Sequence, residues 1–180
     1  MRMCSHSQLH DIAQVFTNLE YLGGSSFTFD VGTCIQLLTS GSPPGRNDAC
    51  KALYNPSIRT ANKSRIIKAG AVPALICFLD EPPSRMAETF VCVLANLATV
   101  SEGRASIAQE RRGISGLVEA IESGGPRAQE NAAATLWQLA KHSRKHRAAI
   151  PQEVVIPPLV AISQTGTPRA KIKVRGLGLH

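Results

Sequence analysis

The chain has 180 residues, 43% hydrophobic but only 4% aromatic, so leucine, isoleucine, valine and alanine must fill its core. Twenty Lys and Arg against thirteen Asp and Glu give a formal charge of +7, which favours acidic partners. The five cysteines (Cys4, Cys34, Cys50, Cys77 and Cys92) are odd in number and hold no C-x-x-C pair, and no apolar run reaches the roughly 18 residues of a membrane span, which together argue against secretion and membrane insertion.

In chain order, residues 1–30 stand apart, with Leu9, Ile12, Phe16 and Leu19 spaced as one amphipathic helix able to cap an open end and 23–26 as a linker. A helix near 34–39, a Gly/Pro loop over 40–45 and a helix over 46–55 follow. Pro56 is expected to end that helix early, because proline in a helix interior costs about 3 kcal/mol. Residues 62–69 read as a short helix closed by Gly70, suited to a left-handed C-cap, and 72–79 as a second with Pro73 tolerated in its first turn. Pro82-Pro83 breaks the chain, and Ser84 caps a longer helix through 98 on which Ala87, Phe90, Val91, Leu94 and Leu97 recur at helical spacing. The same plan returns with 102–109, 114–122 and 126–141, the last begun by Pro126, and again with 142–149, 155–164 and 168 onward. Gly176 and Gly178 leave the final helix frayed. Four of the cysteines fall inside these helices, where a free thiol is expected as a small buried hydrophobe and a reducing compartment, cytoplasm and/or nucleus, is implied.

The plan has a fixed period. Leu53, Leu94 and Leu136 are 41 and 42 residues apart, and Leu75, Leu117 and Leu159 keep an interval of 42, as do Arg85, Arg127 and Arg169. Such a period denotes a stacked helical repeat, a solenoid with an extended face for a partner. The expected fold is all-α, about 3.5 repeats over 31–175, with an atypical segment over 1–30 and a frayed tail over 176–180.

Three helices per repeat, with Asn62-Lys63-Ser64-Arg65-Ile66-Ile67-Lys68-Ala69-Gly70-Ala71-Val72 and Leu94-Ala95-Asn96-Leu97, resemble armadillo repeats, which wind into a right-handed superhelix. Gly45-Arg46-Asn47-Asp48-Ala49, Val93-Leu94-Ala95-Asn96-Leu97-Ala98-Thr99, Glu102-Gly103-Arg104, Gln129-Glu130-Asn131-Ala132-Ala133-Ala134 and Ser163-Gln164-Thr165-Gly166-Thr167-Pro168-Arg169-Ala170 are similar to the C-terminal armadillo region of plant U-box ubiquitin ligases, over about residues 31–171. The resemblance implies a scaffold that recognises a substrate or regulator of a RING-type ligase. These residues supply no U-box, so the chain alone is expected not to transfer ubiquitin. A free-standing armadillo adaptor without a ubiquitin role, and a ligase polypeptide whose U-box lies upstream of these residues, are the alternatives.

Asn55, Asn96 and Gln138 occupy equivalent positions on successive third helices, which line the concave face in armadillo proteins. An amide both donates and accepts, so such a ladder can hold the backbone of an extended peptide or a helical segment; the competing reading is that the amides bond neighbouring loops or water. One turn earlier come Lys51, Cys92 and Ala134, and one turn before that Asn47, Glu88 and Glu130, on the same face. Importin-alpha proteins, also armadillo, set tryptophans where this chain has Lys51, Cys92 and Ala134, and a basic chain opposes their basic cargo.

Arg85, Arg127 and Arg169 begin successive third helices and can form a row for an acidic or phosphorylated segment, or can simply be solvated. His142 and His146 have i, i+4 spacing but sit among cations and lack the H-E-x-x-H pattern, so no metal site is expected. Trp137 is expected to pack at a repeat junction. No base-stacking aromatics interleave the basic stretches at 111–112, 141–147 and 169–175, which argues against nucleic acid. Nothing in the spacing forms a catalytic constellation or a cofactor loop, and the expected molecule is a monomeric protein-binding module.

Overall fold

The computed structural model describes residues 30–80, 85–150 and 152–175. Among them are eleven α-helices and no strand: α1 (Val31–Ser40), α2 (Pro43–Ile58), α3 (Thr60–Lys68), α4 (Ala71–Cys77), α5 (Arg85–Leu97), α6 (Ser101–Gln109), α7 (Gly113–Ser123), α8 (Pro126–His142), α9 (Arg144–Ala149), α10 (Gln152–Thr165) and α11 (Pro168–Arg175). A 3-10 turn, Phe78–Asp80, extends α4. The pair α1–α2 is followed by three triplets, α3–α5, α6–α8 and α9–α11. The third helices α2, α5, α8 and α11 pack each on the next in one row; α3 packs on α6, and α1 on α4, so neighbouring repeats also meet through their shorter helices.

The periodic leucines make this stack. Leu53, Leu94 and Leu136 on the third helices are fully buried, as are Leu75, Leu117 and Leu159 on the second helices. Burying one such side chain contributes about 1.5–3 kcal/mol, so each repeat delivers the same stabilisation to its neighbours. Phe78 and Phe90 stack with ring centroids 5.1 Å apart, and the Arg46 guanidinium lies 5.0 Å above the Phe78 ring, tying α2 to the second repeat.

Local chemistry sets the helix ends. Asp30 caps α1 by accepting from the Gly32 N–H at 3.0 Å, and Ser143 caps α9 by accepting from the His146 N–H at 3.2 Å. Gly70 closes α3 at φ +89°, ψ 23°, the left-handed conformation its position suggested. At Gly103 the need is closeness: a Cβ there would overlap the Leu97 carbonyl, so only glycine lets α6 lie this near the end of α5.

Two expectations fail at α2. The loop expected over 40–45 shrinks to Gly41 and Ser42, because Pro43 and Pro44 occupy the first helical positions, where a missing N–H costs nothing, and Ser42 supplies the cap. The helix also does not stop at Asn55. It runs through Pro56 to Ile58, with Pro56 buried at the position that Leu97 and Leu139 hold in later repeats. Proline is tolerated because it sits in the last turn, which other bonds close: Ser57 donates its hydroxyl to the Tyr54 carbonyl, and the Pro56 carbonyl accepts from the Arg59 N–H at 3.2 Å and the Asn62 amide at 3.4 Å. At the other end, α11 continues past Ala170 to Arg175 and buries Val174. Cys34, Cys50 and Cys92 are buried as expected, but Cys77, in the last position of α4, is exposed. The helix expected around Leu9 to Leu19, the Ser84 cap and the tail over 176–180 lie outside the described residues.

Candidate functional site

The row of third helices holds an open cavity of about 270 Å³. Its lining comes from three consecutive repeats: Lys51, Tyr54 and Asn55 from α2, Glu88, Thr89 and Cys92 from α5, and Arg127 from α8. Helical spacing explains the set, since 51 and 55, and 88 and 92, are each one turn apart and share a face. The cavity thus gathers Lys51, Asn55 and Glu88 of the expected ladder face with Arg127, which sequence had assigned to a separate row. It also includes Tyr54 and Thr89, which sequence reasoning missed; each adjoins a residue that was picked, Asn55 and Glu88.

The other ladder residues lie outside that lining. The Asn96 amide donates to the Ser57 hydroxyl at 3.0 Å, joining α5 to the end of α2. Gln138 is half-buried on α8, and its backbone carbonyl is 3.0 Å from His142 Nδ1. Glu130 accepts from the Thr167 hydroxyl at 2.9 Å at the start of α11, a junction bond rather than an open groove contact. Glu88 sits in the equivalent place one repeat earlier, its carboxylate packed so closely on Gly125 that a Cβ there would overlap it. Both acids lie at the N-terminus of the next third helix, where the positive end of the helix dipole favours them.

The two cations of the lining differ in their surroundings. Lys51 Nζ is 3.4 Å from Asp48, whose side chain is buried beneath it. Arg127, second in α8, is exposed. The side chains of Arg85 and Arg169 lie outside the described residues. Cys92 accepts from the Asn131 amide at 3.0 Å, and burial raises its pKa, with Arg127 acting the other way, so the cavity wall carries a neutral thiol. Burial likewise pushes Cys34 up to about 12 and Cys50 well above the usual thiol range.

His142 ends α8 and His146 lies on α9, so the i, i+4 spacing does not put them on one helix, and no group of three or more potential metal ligands occurs among the described residues. Trp137 is half-buried, with Lys141 Nζ 4.5 Å from its ring centre. No described helix is long and apolar enough to cross a membrane.

The family profile of the plant U-box protein ARM repeat region matches residues 34–170. The chain belongs to that family. Among curated relatives, U-box domain-containing protein 17 of Arabidopsis thaliana is 36% identical over 145 residues, covering 78% of this chain and 19% of the relative. U-box domain-containing protein 45 of the same plant is 31% identical over 130 residues, covering 72% and 17%. The chain therefore spans about a fifth of the length of such relatives. Among solved structures, a computationally designed armadillo repeat protein for modular peptide recognition aligns at TM-score 0.78, with 18% identity over 95% of this chain and 73% of that one. A designed armadillo protein in complex with the peptide (KR)4 aligns at 0.71, with 16% identity over 94% and 70%. The armadillo-repeats-only protein of Plasmodium falciparum aligns at 0.68, with 17% identity over 98% and 83%. The fold is an armadillo solenoid.

Proposed function

We propose that the groove along α2, α5 and α8 binds an extended protein segment, and that in doing so the chain recognises a substrate or regulator of a plant U-box ubiquitin ligase system. The observation that carries the reading is the 270 Å³ cavity lined from three consecutive third helices. A segment laid across it meets hydrogen-bonding groups from each repeat in turn, including Asn55, while Tyr54 offers an apolar wall. The family supports the link to ubiquitin, and the designed relatives, one of them with a bound peptide, support the mode of binding. The proposed module works as a monomer in the cytoplasm or nucleus.

The test fills the groove. Thr89→Trp introduces bulk at a half-buried lining position. Wild-type protein immobilised in plant extract should retain proteins that this variant releases, and a chimera carrying a U-box ahead of the chain should attach ubiquitin to them. The chain alone, given activating enzyme, conjugating enzyme, ubiquitin and ATP, should build no more chains than the mixture without it. Equal capture by Thr89→Trp would remove the groove from the function. Groove-dependent capture with no transfer by the chimera would leave a binding adaptor without a ubiquitin role.

A further inference from the structure

We infer that the groove selects an acidic protein segment, seating a carboxylate of the partner on Arg127 with Lys51 as a second cation. The inference rests on the groove reading above and adds the chemistry of the occupant. Among the described side chains in or next to the lining are the charged groups Asp48 and Lys51 on α2, Glu88 on α5, and Arg127 and Glu130 on α8. Two of the acids are turned to internal use, and the third, Glu88, reaches the cavity wall from beside the Gly125 cap. Asp48 is buried under Lys51, Glu88 packs on the Gly125 cap of α8, and Glu130 accepts from Thr167 at the start of α11. The cations face the cavity. Lys51 keeps half its side chain exposed despite the contact with Asp48, and the exposed Arg127 guanidinium forms no hydrogen bond or ion pair among the described residues.

Position strengthens the bias. Arg127 lies in the first turn of α8, where Gly125 gives the helix no side-chain cap, so an anion seated on the guanidinium also meets the positive end of the dipole, shared there with Glu88. Glu88 is the one carboxylate in the lining; Tyr54, Asn55, Thr89 and Cys92 carry no negative charge at neutral pH, because burial holds the Cys92 thiol protonated, so two cations face a single acid. A basic segment would meet two like charges across this cavity. An acidic one gains charge-assisted hydrogen bonds, bidentate where the arginine fork meets a carboxylate.

A library of random octapeptides presented to the wild-type chain reads this selection directly by sequencing what is retained. Four variants accompany it, each checked by circular dichroism for an unchanged helical spectrum: Thr89→Trp, Arg127→Glu, Arg127→Lys, and Lys145→Glu as an equal charge change on exposed α9. The expected result is Asp and Glu enrichment by the wild type, retained in Lys145→Glu, weakened in Arg127→Lys and replaced by Lys and Arg enrichment in Arg127→Glu. For a retained peptide, affinity should fall about tenfold or more in Arg127→Glu. Enrichment that needs an open Thr89 but shows no acidic preference, or is unchanged in Arg127→Glu, overturns the charge selection and leaves the groove standing. An equal loss in Lys145→Glu assigns the preference to overall charge and overturns it as well. Retention identical in Thr89→Trp removes the groove itself.

Discussion

Among the described residues, the junction between the second and third repeats is held by hydrogen bonds between pairs of side chains on two sides of the stack, while its neighbours have such pairs on one. On the first-helix side, Lys63 Nζ donates to the Thr99 hydroxyl and the Ser64 hydroxyl to Glu102, each at 2.6 Å. On the third-helix side, Asn131 donates to Cys92. Among the described residues, the first and second repeats are joined in this way by Asn96 and Ser57, and the third and fourth by Glu130 and Thr167, both along the third helices. Leucine burial is nearly the same at every level, so what distinguishes the junctions is polar and directional. Apolar stacking lets repeats pack, whereas bonds on two sides fix their relative angle. The groove spans this doubly held α5–α8 junction and the singly held α2–α5 junction beside it.

The sharpest way to break that contrast is Gly103→Ala. The added methyl would overlap the Leu97 carbonyl, so α6 must shift away from the end of α5 and the central junction loosens. Destabilisation of about 3 kcal/mol is expected, read as a lowered urea midpoint; a loss below about 0.5 kcal/mol, within the range of ordinary surface changes, would show that the close approach is dispensable.

Asn96→Ala tests the singly held first junction. The bond to Ser57 is lost, but the Ser57 hydroxyl still donates to the Tyr54 carbonyl, so no donor is orphaned and the cost should be near 1 kcal/mol. Because Asn96 does not line the cavity, peptide affinity should change less than with Arg127→Glu. A larger binding loss for Asn96→Ala would restore it as the main groove residue.

The smallest effect has the opposite sign. Lys63 is 6% exposed, with the Thr99 hydroxyl as its hydrogen-bond partner, and burial lowers its pKa below the usual 10.5. Its charged form is therefore penalised in the fold, and stability from this group rises as pH climbs through the lowered pKa toward 10.5. Lys63→Met keeps the apolar stem and removes the charge, while Thr99 still donates to the Asn96 carbonyl at 2.7 Å. The variant should match or exceed wild-type stability at pH 7 and lose the alkaline rise; thermal melts from pH 7 to about 10.5 read both. A clear loss at pH 7 would mean that the Lys63–Thr99 bond outweighs the desolvation of the ammonium.

How much of this was legible depends on the range of the interaction. The leucine series is a local pattern repeated, so the order of the helices and their buried faces follow from sequence, as does the left-handed Gly70. At α2 sequence failed locally, because a general cost of proline was applied to Pro56 without its place in the last turn or the bonds from Ser57 and Asn62. The junction bonds link residues 36 to 39 positions apart and need the superhelical register, which no propensity encodes. One signal was present: Glu88 precedes Gly125, and Glu130 precedes Thr167, by the same interval, an acid set ahead of each following helix start. Of these acids, both expected as groove residues, Glu88 lines the cavity and Glu130 bonds Thr167 at the next helix start.

The uneven burial of the thiols has a practical outcome. Cys34, Cys50 and Cys92 are shielded, and burial keeps them protonated, whereas Cys77 is open to solvent at the end of α4, away from the helices that line the groove. With Cys4 replaced by serine, a maleimide dye should label one position. That dye would sit on a second helix as a fluorescent beacon, reporting the arrival of a labelled peptide by energy transfer without occupying the surface where the peptide lands.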